Sequence, residues 1–148
     1  MKPQVVEIKL EKEYRFMYAN FVISSQHKLY LLLAKKDDDV DALEFDFVVY
    51  KYGYPNDEVE HPLMKYGLGF YGFYEVLNST WIENLRMNNS SHFAHSDKFF
   101  HKMKHYVVKF KDVTLEVISF DYALKRLPKS FFSKMLNEEI NFLDTNED

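Results

Sequence analysis

The feature that most constrains the fold of this chain is an alternation of apolar and charged residues with a period of two. Between residues 6 and 18, one parity is apolar or aromatic except at Lys12, and the other parity is charged as far as Arg15. Side chains of a β-strand point alternately to opposite faces, so this pattern is typical of a strand with one buried face and one wet face. We therefore predict a first strand over residues 6–18.

Similar patterns predict five more strands. Residues 27–34 are apolar on both parities, which indicates a strand covered on both faces, and residues 24–26 are predicted to form a turn before it. The remaining strands are predicted over residues 43–52, 73–77, 106–111 and 114–119. Strands and helices do not alternate regularly, which disfavours a parallel sheet. We predict a mainly antiparallel sheet of about six strands, with a closed or half-open barrel as the alternative.

Helix signals lie in the middle and at the end of the chain. Thr80–Glu83 spells a capping box that opens a short helix to about Met87, and Ser96 can cap a second helix with Asp97 in its first turn. Pro128 fits the first turn of a C-terminal amphipathic helix. Its apolar stripe consists of Phe132, Met135, Leu136, Ile140 and Leu143. The prediction is one α+β domain over residues 1–143, followed by a frayed acidic tail over 144–148.

Composition restricts the classes of function. The chain has no cysteine, which excludes disulfide frameworks, cysteine-based zinc sites and thiol nucleophiles. A net charge of -4 argues against general nucleic-acid binding. The longest apolar run has six residues, 29–34, too short to cross a membrane, and the first residues do not resemble a secretion signal. We expect a cytoplasmic protein without a cofactor; its oligomeric state stays open.

Two polar clusters are candidate sites. Asp57, Glu58 and His61 lie near glycines and could form an acid/base set, because a carboxylate orients an imidazole and raises its basicity. The alternative is that these residues stabilise a turn. The second cluster could bind zinc, nickel or manganese through His92, His95 and His101. The favoured alternative is that these three are surface histidines, so we predict no metal site.

Several short motifs resemble a family of short, uncharacterised, mainly bacterial proteins. The matching residues are Pro55–Glu58, His61–Leu63, Tyr66–Leu68, Glu75–Ser79, Trp81–Ile82, Lys104–Tyr106 and Asp112–Glu116. The resemblance covers roughly residues 55–118, under half of the chain. This sequence departs from the family pattern at Met103, Lys111 and Val113. No activity is carried over, but the resemblance implies candidate site positions. These are Asp57, Glu58, His61, Asn78, His105, Asp112 and Glu116.

Two classes of function follow. The lack of a strong catalytic motif and the 11 tyrosines favour an interaction module that binds a protein partner. Its candidate binding residues are Tyr66, Tyr71, Asn78 and Asp112. The alternative is a small acid/base or metal-dependent hydrolase that uses Glu58, His61, His105 and Glu116. Convergence of these four side chains in a concave pocket would favour the enzyme.

Overall fold

A single antiparallel sheet organises the computed structural model, which describes residues 1–17 and 20–143. The described strands are β1 (Gln4–Glu7), β2 (Phe21–Ser24), β3 (Lys28–Lys36), β4 (Asp39–Gly53), β5 (Gly72–Leu77), β6 (Lys104–Lys109) and β7 (Thr114–Pro128). Their order across the sheet is β1-β5-β6-β7-β4-β3-β2, so β1 and β2 are its edges and the sheet is open. The α+β prediction is confirmed, with seven described strands in place of six.

The predicted first strand is wrong in length. Only Gln4–Glu7 pairs as a regular strand, against β5, and one more bond joins Ile8 N to Phe73 O at 2.8 Å. Beyond it the chain is irregular up to residue 17, although Ile8, Leu10 and Phe16 still pack on the core. Tyr18 lies outside the described residues. The alternation therefore reflects one-sided burial of the segment, not continuous pairing.

The last strand is much longer than predicted, because a bulge interrupts its alternation. Phe45 pairs with Tyr122 but Phe47 pairs with Ser119, so β7 carries an extra residue at this point. The Ser119 hydroxyl lies 2.6 Å from Asp121 O and 3.0 Å from Asp46 O, and it can donate its single proton to either carbonyl oxygen at the bulge. Beyond the bulge, β7 continues beside β4 to Pro128.

The predicted turn at residues 24–26 begins within β2, because Ser24 is the last residue of that strand.

Three α-helices are described: α1 (Thr80–Asn89), α2 (Asp97–His101) and α3 (Lys129–Asn141). The helix predicted after Pro128 is confirmed, but only part of its stripe is covered. Phe132 is buried and Met135 half-buried, whereas the more C-terminal apolar residues are exposed. The predicted tail, 144–148, lies outside the described residues. Within the described part of the chain, no helix has the length and apolar character to cross a bilayer.

The two faces of the sheet are covered in different ways. One face carries the main core, whose buried residues are Leu29, Leu31, Leu43, Phe45, Phe73, Tyr106, Val108, Phe110, Leu115 and Val117. On the other face, α3 packs on Tyr30, while Trp81 and Leu85 of α1 pack beside Ile118. The segment between β4 and β5 covers Val76 and Val107 with Leu63 and Leu68. The candidate site lies on this second face.

A buried carboxylate holds the N-terminal segment against β4 and β7. Asp41 accepts hydrogen bonds from Arg126 Nε and Tyr14 Oη, both at 2.8 Å, and Lys12 Nζ lies 3.4 Å away. The Arg126 hydrogen bond, opposed by burial and supported by Tyr14 and Lys12, lowers the pKa of Asp41 to about 2. The folded state therefore favours the ionised form of Asp41.

We expect Asp41→Asn to lower the unfolding free energy by about 2 kcal/mol at pH 7, since it removes charged hydrogen bonds. The unfolded state binds more protons at Asp41 between its ordinary pKa of 3.8 and about 2. The wild type should lose this stability as the pH falls through that range, so the difference between the two proteins should close. Urea unfolding at several pH values measures it. Asp38→Asn, at an exposed carboxylate, is the control; an equal effect there would contradict the prediction.

Candidate acid/base site

One carboxylate on the second face of the sheet accepts hydrogen bonds from two imidazoles. Glu116 Oε1 lies 2.9 Å from His105 Nε2, and Glu116 Oε2 lies 3.0 Å from His61 Nε2. Strands β6 and β7 place Val107 opposite Glu116 and His105 opposite Ile118, so His105 and Glu116 are diagonal neighbours on one face. Three of the four side chains in the predicted enzyme cluster therefore converge, while Glu58 does not.

His61 is held by its own loop. The backbone N–H of Leu63 donates to His61 Nδ1 at 3.0 Å. Because Nδ1 must then carry a lone pair, the tautomer that satisfies both contacts has its proton on Nε2 and donates it to Glu116. His61 thus positions one carboxylate oxygen and would lose the Leu63 contact if it took a second proton.

His105 is held by Ser79, at the start of α1. Ser79 Oγ lies 2.8 Å from His105 Nδ1 and accepts the Ile82 N–H at 3.2 Å. The N-cap of α1 is therefore Ser79 and not Thr80, and the residue three positions after Ser79 is Ile82, so the capping box predicted from Thr80 and Glu83 does not form. A hydroxyl can donate to Nδ1 or accept from it, so His105 can gain a proton there without losing its neighbour.

The charge of Glu116 follows from these contacts. Burial by itself disfavours the carboxylate, but hydrogen bonds from His105 and His61 outweigh burial and lower the pKa of Glu116 well below its ordinary value. The Lys51 ammonium lies 3.9 Å from Glu116 Oε2 and 4.2 Å from the centre of the Trp81 ring. Glu116 therefore stays ionised across the neutral range.

The imidazoles and the carboxylate line a cavity of about 460 Å³. Apolar walls come from Val59, Pro62, Leu63 and Trp81, and Lys51 adds a cation. The Trp81 ring also meets His105 edge to face, with centroids 5.4 Å apart. This combination of apolar walls and a few convergent polar groups is typical of a small-molecule site.

A buried lysine lies near this network. Lys109 is completely buried, and its ammonium has no hydrogen-bond partner among the described residues. Burial lowers the pKa of Lys109, while nearby Asp57 and Glu116 oppose the shift. An unpaired buried ammonium is costly, so Lys109 is destabilising when charged.

The other predicted acid/base residues lie elsewhere. Asp57 is half-buried and accepts a hydrogen bond from Tyr71 Oη at 2.7 Å, and Glu58 is exposed on the same loop. Glu60, which was not predicted, lines the cavity instead. The structure does not bring Asp57, Glu58 and His61 together as one acid/base set, because only His61 of the three contacts Glu116 and lines the cavity.

The predicted binding residues do not form one surface patch around the cavity. Tyr66 is half-buried and Tyr71 is exposed. Asn78 has a left-handed φ of 54° in the turn between β5 and α1, with its amide 3.4 Å from Lys2 O. Asp112 is exposed in the β6–β7 turn. Asn78 and Asp112 therefore occupy turns whose geometry accounts for a small polar residue.

The histidine-rich segment does not assemble a metal site in the part of the chain that is described. No group of three or more potential ligands is placed to hold a metal ion across residues 1–17 and 20–143. His95 Nε2 lies 2.7 Å from Asp97 Oδ1, and Asn89 lies 3.0 Å from His95 Nδ1. His92 accepts from the Ala94 N–H. Local contacts thus occupy His92 and His95.

Three site residues were missed by the sequence analysis as functional candidates: Ser79, Lys51 and Trp81. Ser79 follows a predicted strand and precedes a predicted helix, which is a position where a side chain can project from a sharp turn. The helix cap was predicted at Thr80, and Ser79 was given no role of its own. Lys51 and Trp81 carry no local signal, because their proximity depends on the pairing of distant strands.

The contacts of His61 predict its tautomer. Two-bond ¹H–¹⁵N NMR at neutral pH should show the His61 proton on Nε2, because Nδ1 accepts the Leu63 N–H. In Glu116→Gln, the His61 and His105 resonances should both shift, while those of exposed His101 stay unchanged. A proton on Nδ1 of His61 would contradict the arrangement.

The buried ammonium predicts an unusual gain in stability. Lys109→Met should raise the unfolding free energy by about 1–3 kcal/mol at pH 7, since it removes an unsatisfied buried donor. Between the lowered pKa of Lys109 in the folded state and the ordinary lysine pKa of 10.5, the unfolded wild type binds more protons at this position, so the stability of the wild type rises with pH in that range. The advantage of the variant should therefore shrink as the pH approaches 10.5. Exposed Lys104→Met on the same strand is the control in denaturant unfolding; a less stable K109M would contradict the prediction.

Comparison with protein-family models, curated proteins and solved structures gives no match for this chain. The family resemblance therefore stays a prediction, and no residue role is transferred from another protein.

Proposed function

We propose that the chain is a small acid/base enzyme of hydrolytic type, with His105 as the base and Glu116 as its orienting carboxylate. The observation that supports it is the pair of hydrogen bonds from two imidazoles to one buried carboxylate in a cavity wall. A carboxylate that accepts one ring N–H fixes the tautomer and stabilises the imidazolium that forms when the other ring nitrogen takes a proton.

The two histidines have different roles in this proposal. The proton that a base must accept can arrive at His105 Nδ1, because Nε2 of the same ring is committed to Glu116. His61 is a positioning residue, because its Nδ1 is committed to Leu63 and its Nε2 to the second carboxylate oxygen. In this proposal His105 therefore accepts and releases the proton, while His61 keeps its proton and holds the carboxylate of Glu116 in place.

The surroundings suit a substrate with an apolar part and a group that develops negative charge. Trp81, Pro62 and Val59 offer apolar contact, and the Lys51 ammonium can stabilise an anion. Lys51 already lies over the Trp81 ring, which limits its freedom at the mouth of the cavity.

A protein-binding module is the second candidate function. The observation that favours it is a set of exposed aromatic side chains, with Tyr54 79% and Phe70 61% exposed on the segment that also borders the cavity. Tyr71 is also exposed, beside Phe70. Aromatic residues are enriched at protein interfaces.

Hydrolysis of p-nitrophenyl acetate, butyrate and octanoate, with p-nitrophenyl phosphate alongside, tests the proposed function. We expect turnover of at least one ester above the spontaneous rate, and a loss in kcat/KM of about 100-fold in Glu116→Gln, because general base catalysis contributes on this scale. Glu58→Gln is the matched control, since Glu58 is exposed and outside the network.

The pH profile adds a second readout. The quantity to follow is kcat/KM as a function of pH. Since the pKa of Glu116 lies below its ordinary value of 4.5, the carboxylate should stay charged and continue to orient His105 well into the acid range. A wild type without activity on the whole panel, or an E116Q variant as active as E58Q, would overturn the proposal.

A further inference from the structure

We infer that Ser79 is a nucleophile, activated by His105 and Glu116, that forms an acyl-enzyme with a carboxylic ester. This inference rests on the proposed hydrolytic function and specifies its covalent step and substrate class. Nothing in the sequence analysis assigned this role to Ser79.

The three groups form a relay in the order nucleophile, base and carboxylate. Ser79 Oγ lies 2.8 Å from His105 Nδ1, and His105 Nε2 lies 2.9 Å from Glu116 Oε1. Since Nε2–H donates to the carboxylate, the lone pair of the neutral ring lies on Nδ1 and faces the serine hydroxyl. A hydroxyl within reach of a base that a third group orients is the arrangement of an activated nucleophile.

Ser79 also occupies a favourable place in the chain. Strand β5 ends at Leu77, Asn78 turns the chain with φ 54°, and Ser79 stands directly before α1. The first amide groups of a helix, here those of Thr80 and Trp81, have no acceptor within the helix. They could donate to the oxyanion of a tetrahedral intermediate, which the positive end of the helix dipole would also stabilise.

A second cavity gives access to this serine. It has a volume of about 530 Å³ and is lined by Ser79 and by both apolar and polar side chains. Val76, Ile82 and Met103 can contact the apolar part of an acyl group, and the polar lining comes from Glu75, Asn78, Glu83, His101 and Lys104. His105 and Glu116 line the first cavity. The relay therefore connects the two cavities. The acyl carbon must reach Ser79 from the second cavity, so this inference places the ester there and not against Val59, Pro62 and Trp81 of the first cavity.

The covalent step balances without a further reactant. Ser79 Oγ forms a bond to the acyl carbon while its proton passes to His105 Nδ1, and the carbon–oxygen bond to the alcohol then breaks as that proton moves to the leaving oxygen. Water next attacks the acyl carbon and gives a proton to Nδ1. The Ser79 oxygen leaves and recovers that proton, so the products are an alcohol and a carboxylic acid.

The N-cap contact is compatible with this role. The Ser79 oxygen accepts the Ile82 N–H with one lone pair, and the other lone pair remains for attack. A purely structural serine would make the same contacts, so the test must detect the covalent bond itself.

Covalent labelling and burst kinetics test the inference. Wild type, Ser79→Asn, Glu116→Gln and Glu58→Gln are treated with a fluorophosphonate, and the adduct is located by peptide mass spectrometry. Asparagine retains a helix N-cap but lacks the nucleophile, so S79N should remain folded, although the larger side chain at this buried position lowers its stability. Ser96, the N-cap of α2 without a side-chain capping bond, is an internal control. Mixing with p-nitrophenyl butyrate measures the first turnover.

We expect an adduct on Ser79 and none on Ser96, labelling at least tenfold slower in E116Q than in E58Q, and a burst of about one p-nitrophenol per chain. S79N should lose ester turnover about 100-fold or more.

If the wild type hydrolyses esters in a Glu116-dependent way but S79N keeps most of the activity, the nucleophile is water. The inference then fails and the proposed function stands. An adduct on Ser79 that forms equally fast in E116Q would overturn the relay. Absence of both turnover and labelling would overturn both.

Discussion

The ionised carboxylate of Glu116, buried on one face of the sheet, is the group around which the site is built. A buried charge is costly unless it is paired and hydrogen-bonded, so each oxygen of Glu116 requires a donor. His105 comes from the neighbouring strand, but His61 must come from the long segment between β4 and β5. This segment is held at two further points, by a hydrogen bond from Thr114 to Pro55 O and by one from the Asp57 N–H to Lys111 O. One charge thereby links a strand, a loop and, through Ser79, a helix.

The sequence predicted part of the site. The rest depends on contacts between residues that are far apart in the chain. His61, His105 and Glu116 were named, together with Glu58, as the residues of one candidate enzyme site, and the structure brings these three together. Glu58 was included because it is close to His61 in the chain, yet the loop leaves it exposed. Ser79 was overlooked because the helix cap was predicted one residue later, at Thr80, and because the contact that distinguishes Ser79 joins residues far apart in the chain.

The fold was predictable where the alternation of side chains matched continuous pairing. The β6–β7 hairpin meets that condition as far as Ser119, while strand β3 was predicted to within two residues at each end from its apolar residues on both parities. Prediction was wrong where pairing and burial separate. The segment after Glu7 buries alternate residues without a partner strand, and the bulge at Ser119 changes the phase of β7 in mid-strand. Neither effect is visible in the period of the sequence alone.

The single oxygen of Ser79 serves both the first turn of α1 and the ring of His105, and this shared use has a thermodynamic consequence. With a neutral ring, the serine proton points at Nδ1. With a charged ring, Nδ1 becomes the donor, and the serine proton must find another acceptor. A molecule in the second cavity that accepts this proton would favour the charged ring, and by reciprocity the charged ring would favour that molecule. Occupancy of one cavity and proton uptake beside the other are therefore linked equilibria.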